Sequence, residues 1–174
     1  MNVSGEWKEW IAAYGGRLLL FARGWSSGRE DAEDLVQEAI IRLWNLHQEK
    51  GGGVPDLPLA FSTIRFCGLN HHRSESRRKK REESIIYLND FQDVWLDPTL
   101  EEDEEALLLR EAVRNLSGKL REVVTLKIWG GLTFAQISES LAISQNTAAS
   151  RYRYALEQLA QDLRKMKEDR HGIA

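Results

Sequence analysis

Cysteine is almost missing from this chain: Cys67 stands alone, so no disulfide can form within it. Its apolar neighbours mark a buried, reduced thiol. Long apolar runs are missing too. The longest stretches, such as Leu18 to Ala22, are far too short to span a bilayer, and no charged segment leads into an apolar one at the start. These absences predict a soluble, cytoplasmic protein with no membrane insertion. General basicity is absent as well, because the net charge is -3 and the sequence pI is about 5.9. Any binding of nucleic acid must therefore use local basic patches. Finally, no Gly-rich phosphate loop, nucleophile elbow or metal-ligand cluster occurs, which predicts a chain that is not an enzyme and carries no cofactor or metal.

What is present is helix-favouring. Alternating apolar strands do not appear, and 174 residues suffice for one or two small domains with cores of their own. The pattern predicts an all-α fold of two small helical domains, residues 1–81 and 106–166. An acidic linker, 82–105, joins them, and a polar tail, 167–174, follows. In the first half, Trp7, Trp10, Ile11, Tyr14, Leu18, Leu19, Phe21 and Ala22 recur at helical spacing, with a weak point at Gly15 and Gly16. From Glu30 to Leu46 a more regular helix turns Ala32, Leu35, Val36, Ala39 and Leu43 to a core. Its other side carries Asp34, Gln37, Glu38, Ile41 and Asn45. Ile41 is out of place among polar residues: it is either part of a partner-binding surface or one of the single exposed aliphatics that any protein carries.

A loop with Gly51, Gly52, Gly53, Pro55 and Pro58 leads to a helix predicted from Leu59 to Arg81, apolar at first through Phe61, Ile64, Phe66 and Leu69. Its end turns basic through His71, His72 and Arg73 to five consecutive cations, Arg77, Arg78, Lys79, Lys80 and Arg81. Such a run suits phosphate, since neutralising phosphates releases counterions. Phe61 and Phe66 are placed either to stack on unpaired bases or to fill the core. Residues 82–105 then reverse the charge, with ten acids and no Lys or Arg.

In the second half, helices are predicted at Ala106 to Asn115 and Leu120 to Trp129, the latter ended by Gly130 and Gly131. Thr133 followed by Gln136 is a capping-box start, with Ile137 and Leu141 on one face of a short helix. After a hinge at Ala142 and Ile143, Ser144 can cap a second helix by accepting the amide proton of Thr147. Ala148, Tyr152, Ala155, Leu156, Leu159 and Leu163 gather on its docking side, and Asn146, Ser150 and Arg153 lie opposite. This is the geometry of a helix-turn-helix whose second helix enters the major groove, and also that of an ordinary helical hairpin.

The order of these features is more specific than any one of them. DAEDLVQEAIIRLW at Asp31 to Trp44 precedes PLAFSTIRFCGLNHHRSESRRKK at Pro58 to Lys80, and LREVVTLKIWGGLTFAQISESLAISQNTAASRYRYALEQL follows at Leu120 to Leu159. Over nearly its whole length the chain resembles the extracytoplasmic-function (ECF) sigma factors of bacterial RNA polymerase, which carry regions 2 and 4 of the sigma-70 family. No segment is long enough for the regions 1 and 3 of larger sigma factors.

The resemblance implies a factor that binds core RNA polymerase, at the clamp helices of its largest subunit and the flap of the second, and directs promoter-specific initiation. Asp34, Gln37, Glu38 and Ile41 match the polymerase-binding surface. Phe61, Arg65, Phe66, His72, Arg73, Arg77, Arg78, Lys79, Lys80 and Arg81 match the part that meets melted -10 DNA and its phosphates. Gln145, Asn146, Thr147, Ala149, Ser150, Arg151 and Arg153 match the helix that reads the -35 duplex. An anti-sigma factor is a further partner that the resemblance implies. The chain departs from the pattern at Phe66 and Cys67, where many relatives have Arg and Asn, and at Ala149, where many have Lys. A stand-alone helix-turn-helix regulator, dimeric on an operator, accounts for the second half alone and leaves the Asp31 to Trp44 surface unused.

Overall fold

The computed structural model describes residues 3–81 and 104–171, and among them every regular element is helical. The order is α1 (Val3–Arg23), α2 (Arg29–Lys50), α3 (Leu57–Arg81), α4 (Glu104–Asn115), α5 (Gly118–Val124) continued by a π-helical segment (Thr125–Trp129), α6 (Phe134–Leu141) and α7 (Gln145–His171). Contacts divide the chain into two compact units, one holding α1 to α3 and the other α4, α5 and the long α7. Of the expected linker, residues 82–103 lie outside the described residues, while Glu104 and Glu105 already belong to α4.

In the first unit the apolar stripe of α2 falls as its spacing predicts: Ala32, Leu35, Val36, Ala39 and Leu43 are all buried. They meet Trp7, Trp10, Leu18, Phe21 and Ala22 of α1 and Ala60, Phe61, Ile64 and Cys67 of α3 in the core. Rings do much of the joining. Trp7 meets Trp44 edge-on at 5.0 Å between centroids, and Phe21 meets Phe61 at 5.3 Å in the same manner. Such pairs add about 0.5–1.5 kcal/mol each to the burial of their area. That packing explains why Gly15 and Gly16 do not interrupt α1, which runs unbroken from Val3 to Arg23. Helix α3 starts where Asp56 accepts the Leu59 amide at 2.8 Å, with Pro58 in the first turn, where a missing N–H costs nothing. Further along, α3 passes so close to α1's end that a Cβ on Gly68 would lie 2.8 Å from the Trp25 side chain.

The second unit closes around Ala112, Val113, Leu116, Val124, Ala155 and Leu159. Arg121 takes part in this core, only 8% exposed. Its guanidinium donates to the carbonyls of Val113 (3.3 Å), Arg114 (2.6 Å) and Leu116 (2.8 Å), satisfying acceptors at the C-terminal end of α4 and in the turn after it. The π-helical segment ends with Gly130 N–H donating to Thr125 O at 2.9 Å and Leu132 N–H to Leu126 O at 3.1 Å. Only glycine fits at position 130, because a Cβ there would sit 2.5 Å from the Leu126 carbonyl oxygen.

Two expectations are corrected. Residues expected to form a polar tail from 167 continue α7 as far as His171, because Met166 still packs on the core and Lys167 pairs with Glu105 at 2.9 Å; residues 172–174 lie outside the described residues. Leu156, expected on the docking stripe, is 41% exposed, since the buried side of α7 is centred on Ala148, Ala155 and Leu159.

Candidate nucleic-acid and polymerase interfaces

The helix-turn-helix is built by its caps. The Thr133 side chain accepts the Gln136 amide at 3.2 Å, and the Gln136 side chain accepts the Thr133 amide at 2.9 Å, a reciprocal box that starts α6. Helix α6 ends at a left-handed residue, Ala142 (φ 53°), with Ile143 N–H donating back to Ser138 O at 3.1 Å. The Ser138 hydroxyl in turn donates to Ile143 O at 2.6 Å, tying the turn shut. Ser144 then accepts the Thr147 amide at 3.0 Å and starts α7, as expected from the sequence.

On the first turns of α7, Gln145, Asn146 and Arg153 are exposed, and Thr147, Ala149, Ser150 and Arg151 are half-buried. Sequence reasoning missed Tyr154. It is 56% exposed and lies one helical turn beyond Ser150, with the Arg153 guanidinium 5.4 Å from its ring centroid. The signal was an aromatic residue off the apolar stripe, where it has no core to fill.

Along α3 the expected -10 residues part company. Phe61 is 1% exposed and packed on Phe21, so it serves the core and is withdrawn from the DNA-facing set. Phe66 does the opposite: expected among the apolar residues of the helix, it is 53% exposed. Arg65 and His72 gather about Trp25, the guanidinium 5.9 Å and the imidazole 6.0 Å from its rings, and Arg73 is exposed. Arg77, Arg78, Lys79, Lys80 and Arg81 occupy the last turns of α3 as helical backbone, and their side chains lie outside the described residues.

On α2, Asp34 and Gln37 are exposed, Glu38 is half-buried, and Ile41 is 59% exposed. Beside Ile41 runs a groove of about 370 Å³ lined by Trp7, Ile11, Ile40 and Trp44. Glu38 is held from two sides, by Arg42 at 2.9 Å and by His71 of α3 at 2.8 Å. Burial raises its carboxyl, but the hydrogen bonds and charges of Arg42 and His71 outweigh burial and hold it below the ordinary value. Cys67 lies beneath, buried and free; desolvation, then the Glu38 charge, push its thiol up to about 11. Among the described residues, no His, Cys, Asp and Glu gather in a group able to hold a metal, and no helix is long and apolar enough to cross a membrane.

The described residues thus carry an exposed aliphatic set in a polar helix face, a helix with an outward aromatic toward a basic end, and a capped helix-turn-helix. Comparison with known families and structures supplies the class. The model of Sigma-70 region 2 matches residues 10–78, and that of Sigma-70, region 4 matches residues 106–159. Similar proteins include an RNA polymerase sigma-E factor of Streptomyces avermitilis, 27% identical over 91% of this chain and 85% of the relative. An ECF RNA polymerase sigma factor, SigL of Mycobacterium tuberculosis, is 29% identical over 78% of this chain and 76% of its own length. In fold the chain is similar to the sigma factor RpoE of Bartonella quintana, crystallised with the anti-sigma factor NepR. The TM-score is 0.75 at 21% identity, over 91% of this chain and 96% of that one. The chain belongs to the sigma-70 family, in its ECF group with regions 2 and 4.

Proposed function

We propose that this chain works in the cytoplasm as a sigma factor, joining core RNA polymerase and directing it to promoters, with residues 1–81 acting as region 2 and residues 106–166 as region 4. The observation that carries the polymerase contact is Ile41, 59% exposed within the polar face of Asp34, Gln37 and Glu38 and continuous with an apolar groove. An aliphatic anchor ringed by polar groups is the composition of an interface hot spot. This face meets the clamp helices of the largest subunit, and region 4 meets the flap of the second.

On DNA, the first turns of α7 enter the -35 major groove, where Gln145, Asn146 and Arg153 reach base edges and phosphates. Phe66, Arg65, His72, Arg73 and the basic end of α3 receive the opened -10 strand. Stacking returns about 1–3 kcal/mol per base, against about 1.4 kcal/mol for each base-pair step opened. This biases melting toward the open form and leaves most of the work to the holoenzyme, so the free chain binds duplex feebly. No step in this reading is a chemical reaction on the chain. The same polymerase-binding face is open to an anti-sigma factor, the kind of partner present in the Bartonella quintana complex.

In vitro transcription with core polymerase over a genomic library tests the reading. The chain is expected to start transcripts at defined sites, and Ile41→Glu to abolish them with its helical circular dichroism unchanged. A stable dimer with a palindromic footprint and no dependence on polymerase overturns it in favour of a stand-alone regulator.

A further inference from the structure

The polymerase-facing Glu38 is not a free surface carboxylate. Its Oε1 accepts from Arg42 Nε at 3.0 Å and Nη2 at 2.9 Å, while Oε2 meets His71 Nε2 of α3 at 2.8 Å. The Arg42 guanidinium also lies 5.6 Å from the ring centroid of the exposed Phe66. These side chains form a continuous string, Phe66–Arg42–Glu38–His71, crossing twice between α2 and α3. One of its members belongs to the proposed polymerase face, and another to the proposed -10 face.

Stability does not explain this arrangement. Glu38, Arg42 and His71 keep 33%, 49% and 51% of their side chains exposed, and ion pairs so hydrated contribute little to folding. Orientation is the larger consequence. An unrestrained glutamate samples many rotamers and must surrender them when a partner binds, whereas a carboxylate gripped through both oxygens has surrendered them already. The grip comes from two helices, so it fixes the carboxylate relative to the pair of helices and not to α2 alone.

We infer that His71 and Arg42 are positioning residues for Glu38: they pre-orient its carboxylate for core polymerase and, through the Arg42–Phe66 stack, tie that contact to the surface that receives melted DNA. This rests on the proposed function, since it assigns roles within the polymerase-binding surface. Neither residue touches polymerase in this scheme; each acts through the carboxylate.

A double-mutant cycle on core-polymerase affinity, using the full chain, tests it. His71→Ala is expected to weaken binding about three- to tenfold, the scale of one ordered side chain. His71→Gln, which keeps a donor near the same place, is expected to restore most of the loss. In a Glu38→Gln background, His71→Ala should change affinity less than twofold, because the charged group it positions is gone. A merely structural histidine would give the same loss in both backgrounds, with no rescue by glutamine, and that result overturns the inference. Core binding indifferent to His71→Ala overturns it too and leaves the proposed function standing. Failure of the unsubstituted chain to bind core at all overturns both. Thermal unfolding of each variant, expected within a few degrees of the parent, separates lost binding from lost fold.

Discussion

Both units have cores built from distant residues, but they differ in how their corners and outer faces are fixed. In the C-terminal unit the helix ends are closed by neighbours in sequence: Thr133 with Gln136, Ser138 with Ile143, Ser144 with Thr147. In the N-terminal unit the decisive contacts join distant residues: Trp7 with Trp44, Phe21 with Phe61, Glu38 with His71. Short-range closure sets a small motif in a fixed shape. Long-range packing of long helices leaves two faces of α2 and α3 open for partners. Under the proposed function, the first design suits a unit that enters duplex DNA as a rigid wedge, and the second suits one that meets both polymerase and an opening strand.

Substitutions can sharpen this contrast. Two phenylalanines five residues apart on α3 should give the widest separation. Phe61→Ala empties a site that is 1% exposed and is expected to cost the N-terminal unit about 3–5 kcal/mol in denaturant unfolding. Phe66→Ala should leave that midpoint within about 0.5 kcal/mol, while weakening capture of a single-stranded -10 oligonucleotide by the holoenzyme by about 1–3 kcal/mol. Equal effects of the two on stability would erase the distinction between core and DNA face.

Arg121→Met tests the side-chain link that ties α5 to the end of α4. Leaving the carbonyls of Val113, Arg114 and Leu116 without this donor is expected to cost on the order of 2–3 kcal/mol. Calorimetry showing no change would mean that water replaces the guanidinium there.

Glycines probe the close approach of α3 to Trp25. Gly68→Ala should destabilise by about 1–3 kcal/mol. Gly16→Ala, helical and with nothing within 4 Å of the added carbon, should stabilise by about 0.5–1 kcal/mol. Opposite signs in thermal melts are the expected result. Comparable in size, Ser144→Ala removes the α7 cap and is expected to cost about 1 kcal/mol, read as a lower midpoint of the C-terminal unit together with weaker -35 duplex binding by the holoenzyme.

The same contrast explains how far the sequence could be read. The caps at Thr133 and Ser144 and the α2 stripe from Ala32 to Leu43 follow from spacing, and they stand where spacing put them. Phe61 and Phe66 could not be told apart by type, because periodicity along α3 leaves open which aromatic meets α1; the Phe21 ring settles it. Arg121 reads as a surface cation until α4 and its unsatisfied carbonyls are folded over it. The Arg42–Glu38 pair was visible as an i,i+4 spacing, but its third partner, His71, is brought in by the packing of α3 on α2. The extension of α7 to His171 was hidden for a related reason: its charged last turns look like solvent-loving tail until Met166 and Lys167 find their partners.

Ala142 carries a last consequence. Alanine is the residue most content inside a helix, yet here its backbone is turned to φ 53°, a region that alanine rarely enters. Left to the preference of Ala142 alone, the helix would continue past Leu141 and the corner would be lost. The bend is imposed from outside that residue, by the bonds between Ser138 and Ile143, so the corner exists only while its neighbours overrule it. A glycine or asparagine at this one position should therefore be accepted with ease, and a change at Ser138 should be felt a full turn away, in the angle at which α7 leaves the corner.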